Sequence, residues 1–324
     1  MKGKEKGLAY RDIKKGWKEI RRIENQIRDD ILDKAQGVCC TCSGSGNEIL
    51  DGRRFPQVLI DEATQATEPA SLVALTRGAR QVVLVGDHKQ LPPTVISFRA
   101  EEKGLKRSLF ERLVDLGIEP LLLSTQYRMH PAISKFPNQH FYSDRLDDGI
   151  KSENRLAPAG LLWPDWDNPV AFVPVDGGEV VSPDGTSREN PAEVSWVIKI
   201  LNDILEAGEI TKKDIGIITP YAGQVRAIRN SMSEKLDDVE VKTVDGYQGR
   251  EKEVIIFSCV RSNTEQNIGF LSEMRRLNVA LTRAKRGLIV IGDPATLRSD
   301  KNWRAWLEYV RDSKFEAWHL LGMN

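Results

Sequence analysis

The chain has 324 residues, of which 40% are hydrophobic and 29% are charged, a composition that is normal for a globular protein and excludes a disordered one. Lysine plus arginine and aspartate plus glutamate both number 47, so net charge favours no class of partner, and a nucleic-acid-binding protein of this composition must concentrate its positive charge locally. Neither a membrane span nor a secretory signal is apparent, which predicts a protein of the cytoplasm, with the nucleus as the alternative.

Residues 10–35 are predicted to form one amphipathic helix. Isoleucines and a tryptophan recur there at spacings of three and four residues, from Ile13 through Trp17 to Ile31, and such spacing makes one apolar face. Basic residues are concentrated in the same region, with ten Lys or Arg against four Asp or Glu in residues 1–28. We expect the apolar face to pack on a neighbouring element and the charged face to be solvated.

Short runs of Val, Ile and Leu alternate with helical segments along the rest of the chain. Continuous apolar runs are typical of strands buried on both faces, and helices between them indicate a parallel sheet. The predicted strands are VLI before Asp61, QVVLVG (81–86), PLLLS (120–124), VAFVPV (170–175), IGIIT (215–219), EVIIFSCV (253–260) and GLIVIG (287–292).

The order of these elements predicts an α/β protein with three segments. A basic helix occupies residues 1–36, a first domain residues 37–117 and a second domain residues 118–324, with the boundary near Gly117 and Pro120. Within the second domain, Asn190, Pro191 and Glu193 have the order of an N-cap, a first-turn proline and an N3 glutamate, which predicts a helix start.

Polar residues follow the first two strands, where ligands of open parallel sheets bind. Asp61 and Glu62 come directly after VLI. An acidic pair there suits a Mg·ATP site, in which Asp holds the metal and Glu orients and deprotonates the attacking water. Gln90, beyond the next strand, could reach the terminal phosphate. The alternatives are a solvated strand end and a turn stiffened by prolines.

Three later clusters carry further candidates. Arg128 could neutralise charge on a transferred phosphoryl group and Tyr127 could stack on a base. The turn at 243–251 is rich in small and polar residues, which lets backbone approach a ligand. Arg276 and Arg283 lie seven apart and share a helix face, so one of them could serve as an arginine finger. The alternatives are surface arginines, an ordinary turn and a solvated basic face.

In their order along the chain, these clusters resemble the up-frameshift and Sen-type helicases of superfamily 1, which translocate on RNA or single-stranded DNA. The matching stretches are VCCTCSGSG, VLIDEATQATEP, VLVGDHKQLPP, QYRMHPAISKFP, IGIITPYAGQ, TVDGYQGREKE and RRLNVALTRAKRG. The resemblance implies RecA-like parallel sheets with helices on both faces, an incomplete first domain and a complete second one. It also implies ATP-dependent helicase or translocase activity, and a stalk-like role for the N-terminal helix.

The resemblance also implies catalytic roles for five residues. Asp61 would hold Mg²⁺ and Glu62 would be the catalytic base, while Gln90 would contact the γ-phosphate of ATP. Arg128 and Arg283 would be arginine fingers. We expect these side chains to converge on one cleft, beyond strand or helix ends on one edge, although more than 200 residues separate the first from the last.

Further residues are implied to bind the nucleotide or the nucleic acid. Tyr127 would stack on adenine, Glu251 would contact the ribose, and Gly249 would bring backbone near the phosphates. The positions expected along a groove for single-stranded RNA or DNA are Thr41, Thr219, Pro220 and Thr243. Such backbone-type contacts would be largely independent of sequence.

Two further features of the sequence concern a cysteine cluster and the phosphate-binding loop. Cys39, Cys40 and Cys42 have only Cys259 as a further cysteine, whereas zinc sites usually need two ligand pairs, so we expect buried strand thiols rather than a metal site. No Gly-Lys-Ser or Gly-Lys-Thr occurs in the chain, so the phosphate-binding loop G-x-x-x-x-G-K-[ST] is missing.

The family places that loop far upstream of the acidic pair. We therefore expect the first domain to lack its opening strands and the chain to be a helicase fragment that is inactive alone. The alternative is a non-catalytic nucleic-acid-binding or scaffold protein derived from such a helicase. The presence of Glu62, Gln90, Arg128 and Arg283 favours the first interpretation. Protein partners, direction of travel and a preference for RNA or DNA are not predicted.

Overall fold

The computed structural model describes residues 3–321, with side chains described from residue 7 to residue 320. The α-helices are α1 (Gly3–Lys34), α2 (Glu68–Leu75), α3 (Phe98–Glu102), α4 (Leu109–Asp115), α5 (Pro131–Phe141), α6 (Pro191–Glu206), α7 (Ala222–Ser231), α8 (Met274–Leu281), α9 (Pro294–Leu297) and α10 (Lys301–Asp312). Within the described residues, none of the helices combines the length and the apolarity that crossing a membrane requires.

The strands are β1 (Gln57–Ile60), β2 (Gln81–Leu84), β3 (Thr125–Gln126), β4 (Asp147–Asp148), β5 (Val170–Pro174), β6 (Val180–Val181), β7 (Arg188–Glu189), β8 (Ile215–Thr219), β9 (Glu240–Thr243), β10 (Lys252–Ser258) and β11 (Ala284–Gly292). The chain forms two compact units. The first comprises residues up to 60 together with 68–83, and the second comprises 61–67 and the residues from 84 onward. The predicted domain boundary near residue 118 stays a prediction.

The first unit contains α1 and the pair β1–β2. The predicted helix forms, but the expectation that its apolar face packs on a neighbour is wrong for the described residues, because Ile13 is 58% and Trp17 61% exposed. Burial of the strands on both faces is also not found here, since Leu59 is 66% and Val83 53% exposed. A sheet of two strands can bury little of its apolar surface by itself.

The second unit is built on a five-stranded parallel sheet with the order β5-β11-β10-β8-β9. Ile256 in the centre is aligned with Ile217 on one side and Ile289 on the other. The predicted strands at 170–175, 215–219, 253–260 and 287–292 are thereby confirmed. The predicted strand at 120–124 is wrong: in the described structure these residues form no strand, only Ser124 O accepts a hydrogen bond from the Asp147 N–H of β4, and Leu121 is 97% exposed.

Alternate side chains of these strands enter two different cores, as a parallel sheet covered on both faces requires. Phe257 and Val290 lie in a core with residues of α5, α8 and α10, whereas Ile256 and Ile289 lie in a core with residues of α6 and α7. Each such side chain contributes about 1.5–3 kcal/mol by burial. The arrangement is a RecA-like α/β fold with helices on both faces, as predicted.

The predicted start of α6 is also confirmed. Asn190 accepts a hydrogen bond from the backbone N–H of Glu193, and Pro191 opens the helix. The Glu193 carboxyl group also accepts a hydrogen bond from the side-chain amide of the N-cap Asn190 at 3.4 Å. It is buried and accepts hydrogen bonds from the Val260 N–H and the Ser258 hydroxyl, so it ties α6 to the residues that follow β10.

Candidate active site

The acidic pair lies in a tight turn directly after β1. Asp61 and Glu62 are both exposed, and Asp61 Oδ1 accepts a hydrogen bond from the Glu62 N–H at 2.9 Å. Glu62 has φ 52 in the left-handed region, which a non-glycine residue adopts only when its surroundings hold it there. The next residue supplies that restraint, because the Ala63 N–H donates to Val85 O beyond β2 at 2.7 Å.

Gln90 is held in place by an aspartate of the same loop. The amide Nε2 of Gln90 donates to Asp87 Oδ2 at 2.9 Å, and the Lys89 N–H donates to Asp87 Oδ1 at 2.9 Å. The loop begins at Gly86, where a Cβ would lie only 3.0 Å from Thr64. Since Asp87 holds the Nε2 end of the amide, the amide oxygen of Gln90 points away from Asp87 and can accept a hydrogen bond from another residue.

That amide oxygen accepts a hydrogen bond from Arg283. The Arg283 side chain follows α8, is 2% exposed, and donates to Gln90 Oε1 at 3.1 Å, Val279 O at 3.1 Å and Thr282 Oγ1 at 2.9 Å. Burial, and then the positive charge of Arg128, lowers the pKa of Arg283 to about 10. The guanidinium is therefore still charged at neutral pH.

Glu62 is close enough to Arg283 for its charge to oppose this lowering of the pKa, and so is Asp87. The structure therefore brings Glu62, Gln90 and Arg283 into one site, although Gln90 and Arg283 are 193 residues apart in the chain.

Arg128 lies near Arg283, and both side chains donate hydrogen bonds to Thr282. Arg128 Nη1 donates to Thr282 O at 3.0 Å, and its Nε donates to Glu251 at 2.5 Å. Glu251 also forms an ion pair with Lys285 at 3.1 Å. Burial acts to raise the pKa of Glu251, but hydrogen bonds from Arg128 and Lys285 hold it below its ordinary value. Two residues that we expected to contact nucleotide are thus paired with each other.

Tyr127 presents an open aromatic ring next to this pair. The side chain is 68% exposed, and it packs against Gly149, where a Cβ would lie 2.4 Å from a ring carbon. The turn is fixed by Gln126, whose Oε1 accepts hydrogen bonds from the N–H groups of Arg128 and Met129. The ring therefore has a flat surface available for stacking.

The expectation that all these groups lie on one edge is wrong. Asp61, Glu62 and Gln90 follow β1 and β2, but Glu251 precedes β10 and Arg283 precedes β11. The latter two therefore lie at the amino edge of the five-stranded sheet, since parallel strands share their ends. Gly249, in the turn before β10, has φ 72, a conformation that glycine adopts without steric cost.

The sequence did not point to two side chains that complete the site. The Tyr142 hydroxyl donates to Asp87 Oδ2 at 2.6 Å and accepts from Asn278 Nδ2 at 2.8 Å, and Asn278 also donates to Lys89 O at 3.0 Å. Burial, and then the charge of Asp87, raises the pKa of Tyr142 well above its ordinary value, so the phenol stays a donor. Asp87 itself was visible in the GDHKQ stretch, but no pattern marks Tyr142, at the end of α5.

The residues expected to contact nucleic acid are placed differently from one another. Thr219 and Thr243 end β8 and β9, at the carboxyl edge of the five-stranded sheet. Thr219 and Pro220 are buried, and the Thr219 hydroxyl has no hydrogen-bond partner among the residues that the structure describes. Thr243 is half-buried and accepts from the Gly246 N–H at 3.3 Å. Thr41 belongs to the first unit, is exposed, and accepts from the Gly44 N–H at 3.0 Å.

The prediction of buried strand thiols is wrong for the cysteine cluster. Cys39 and Cys40 are exposed and lie outside any strand, while Cys259 is buried. No strand of the described chain pairs with residues 37–42, so no sheet covers these thiols. In that part of the chain, no group of three or more His, Cys, Asp or Glu side chains is arranged to hold a metal ion.

Comparison with known proteins identifies the family. Two models described as AAA domains match the chain, AAA_11 over residues 2–98 and AAA_12 over residues 105–295. The regulator of nonsense transcripts 1 homolog of Neurospora crassa is 46% identical over 305 residues, which are 92% of this chain and 28% of that protein. The homolog of Drosophila melanogaster is 44% identical over 304 residues, which are 92% of this chain and 26% of that protein.

A third relative is the ATP-dependent helicase NAM7 of Saccharomyces cerevisiae, which is 44% identical over 313 residues, or 94% of this chain and 32% of that protein. The chain thus spans between about a quarter and a third of the length of these relatives. The chain belongs to the AAA-domain family of superfamily 1 helicases, of the up-frameshift type.

Proposed function

We propose that this chain is the part of an ATP-driven helicase or translocase that supplies the catalytic base and the arginine fingers, and that the whole protein moves on single-stranded RNA or DNA. The observation that carries the proposal is the position of Arg283. Its buried guanidinium is bonded to Gln90, adjoins Arg128 and lies within electrostatic reach of Glu62. Among the described residues, Arg283 forms no ion pair with a carboxylate, and a buried cation so placed suits an anionic ligand.

The acidic pair fits a metal–triphosphate. Mg²⁺ keeps several waters and usually takes one or two carboxylates together with phosphate oxygens, so the exposed Asp61 is a sufficient protein ligand. When bound, the metal would neutralise charge on the phosphates. Glu62 would orient the attacking water and accept its proton, while Gln90 would donate the second N–H of Nε2 to the γ-phosphate, the first being engaged by Asp87.

The two arginines would act on the charge that develops during phosphoryl transfer. Arg283 is already fixed by three hydrogen bonds, so little reorganisation is needed before it acts. Arg128 is held by Glu251. Nucleotide binding would share Glu251 between Arg128 and the ribose, and the open ring of Tyr127 would stack on the adenine.

The chain by itself should not hydrolyse ATP at a helicase-like rate. Its 324 residues contain no G-x-x-x-x-G-K-[ST] loop, whose backbone N–H groups and lysine hold the β- and γ-phosphates in related enzymes. Without that loop the triphosphate has no fixed position, so the base and the fingers have nothing to act on in line. Weak nucleotide binding through Tyr127 and the arginines should survive.

The proposal is tested by arginine substitutions in a fusion that places a relative's phosphate loop ahead of this chain. Arg283→Ala should lower the RNA-stimulated ATPase rate on the order of 10³-fold. The matched control is Arg226→Ala, because Arg226 pairs at the surface with Asp184 and its removal should leave the rate within about twofold of wild type. Equal rates for the two variants would contradict the role given to Arg283.

A further inference from the structure

An exposed aromatic ring lies on the short turn Gly269–Ser272 that precedes α8. Phe270 is 57% exposed, and its ring centroid lies 5.4 Å from that of the buried Tyr221. The guanidinium of Arg276 lies over the Phe270 ring, 5.4 Å from its centroid. Single exposed phenylalanines are common on protein surfaces. The Phe270 ring differs because it packs against a second aromatic ring and carries an arginine over its face, so its position is fixed.

Contacts with buried side chains hold the turn that carries the Phe270 ring. Gly269 has φ 56 in the left-handed region, and a Cβ at this position would lie 2.0 Å from Arg261 Nη1. The Phe270 N–H donates to the Tyr221 hydroxyl at 3.3 Å, and Arg261 is held by a buried ion pair with Glu179 at 2.7 Å. The backbone therefore holds Phe270 at the surface.

Phe270 also lies near two segments that the family resemblance implies to lie along a nucleic-acid groove. Tyr221 directly follows Pro220 at the end of β8. Arg276 pairs with Asp245 through contacts of 3.3 Å, and Asp245 comes two residues after Thr243. Pro220 is buried, so an exposed ring near these segments is better placed than Pro220 to meet a strand at this edge.

We propose that Phe270 stacks on a base of single-stranded nucleic acid and that Arg276 contacts a neighbouring phosphate. Stacking on an aromatic ring is tolerant of base identity, because every base has a flat π-face. Both contacts of Arg276 with Asp245 are long for a charge-assisted hydrogen bond, so Arg276 can exchange this partner for a phosphate oxygen. The inference rests on the nucleic-acid part of the proposed function and is independent of ATP hydrolysis.

The test is equilibrium binding of fluorescein-labelled oligouridine to this chain at low salt, without nucleotide, followed by fluorescence anisotropy. Phe270→Ala should weaken binding on the order of 10-fold, as for other stacked bases, while Phe270→Trp should bind as wild type. Phe270→Leu, which keeps an apolar side chain but no π-face, should behave like alanine. Trp166→Ala is the matched control, since Trp166 is a similarly exposed aromatic residue, 51% exposed, in the loop before β5.

The salt dependence of binding distinguishes the contribution of Arg276 from that of Phe270. Loss of one phosphate contact in Arg276→Ala should reduce the slope of log affinity against log salt by about 1, whereas Phe270→Ala should shift the line without changing its slope. Unchanged melting temperatures would show that the variants are folded.

Four results would overturn the inference. Wild-type affinity in Phe270→Ala would show that no base stacks there, and wild-type affinity in Phe270→Leu would indicate apolar contact with another kind of partner. An equal loss in Trp166→Ala would show that the effect is not local. A wild-type chain that does not bind oligouridine at all would overturn the nucleic-acid part of the proposed function as well.

Discussion

Replacing Tyr142 by phenylalanine removes one hydroxyl from the network that connects the Gln90 loop with α5 and α8. That hydroxyl donates to Asp87 at 2.6 Å and accepts from Asn278 at 2.8 Å. The ring itself packs against the larger core of the second unit, and phenylalanine preserves that packing. The substitution therefore isolates the polar contribution.

The expected loss can be worked out from the contacts. A hydrogen bond to a charged group is worth about 1.5–3 kcal/mol, and a neutral one about 1 kcal/mol. Asn278 keeps its bond to Lys89 O, so losing the bond from Asn278 to the Tyr142 hydroxyl adds little. Tyr142→Phe should therefore lower the free energy of unfolding by about 2 kcal/mol. Tyr309→Phe is the matched control, because Tyr309 packs on the same core and donates one neutral bond to Ala132 O at 3.0 Å. It should cost about 1 kcal/mol.

The assay is urea unfolding followed by tryptophan fluorescence, since Trp303 and Trp306 are fully buried in that core. A double-mutant cycle with Asp87→Asn should give a coupling energy with Tyr142→Phe of at least about 1 kcal/mol. If Tyr142→Phe costs no more than Tyr309→Phe and the coupling is zero, the network does not hold the Gln90 loop as described.

Three other predictions concern single side chains. In the fusion that supplies a phosphate loop, Tyr127→Ala should raise KM for ATP about 10-fold and leave kcat nearly unchanged, because stacking acts on bound ATP and the transition state alike; a kcat that falls with KM unchanged would contradict this. Arg128→Ala should instead lower kcat by on the order of 10²-fold or more, and single-turnover rates equal to wild type would contradict a role in the chemical step. Burial raises the pKa of Glu193 to about 8, so the folded chain keeps a proton that the unfolded chain releases, and stability should fall as pH rises from about 4.5 to about 8. Glu193→Gln should lack this slope in urea unfolding at about pH 5.5 and 7.5, and parallel pH dependences would refute a protonated Glu193.

Strands buried on both faces could be predicted from sequence, because continuous burial produces an uninterrupted apolar run. β8, β10 and β11 are of this kind, and β1 and β2 were predicted from similar runs although they are largely exposed. β9 was missed because its residues, EVKT, lie at the sheet edge, where charged side chains are tolerated. The run at 120–124 was misassigned because an apolar run alone does not supply a strand partner.

For the candidate site, the residues could be predicted from the sequence but their contacts with one another could not. Its principal residues follow strands or lie in motif-rich stretches, so their identity could be read from the sequence. Their pairing could not, because it depends on contacts between distant segments: Arg128 and Glu251 are 123 residues apart, and Tyr142 and Asp87 are 55 apart. The prediction that the thiols of the cysteine cluster are buried was wrong for the same reason, since burial of a thiol depends on which strand covers it. Localisation in the cytoplasm stays a prediction.

The most direct measurement is steady-state ATP hydrolysis with single-stranded RNA, made on this chain alone and on the fusion that supplies a phosphate loop. Each protein is assayed beside its Glu62→Gln variant, which removes the base and leaves Asp61 in place. We expect turnover only in the fusion, and we expect Glu62→Gln to abolish it while ATP binding is retained. Equal turnover in the fusion and its Glu62→Gln variant, or Glu62-dependent turnover by the chain alone, would contradict the account.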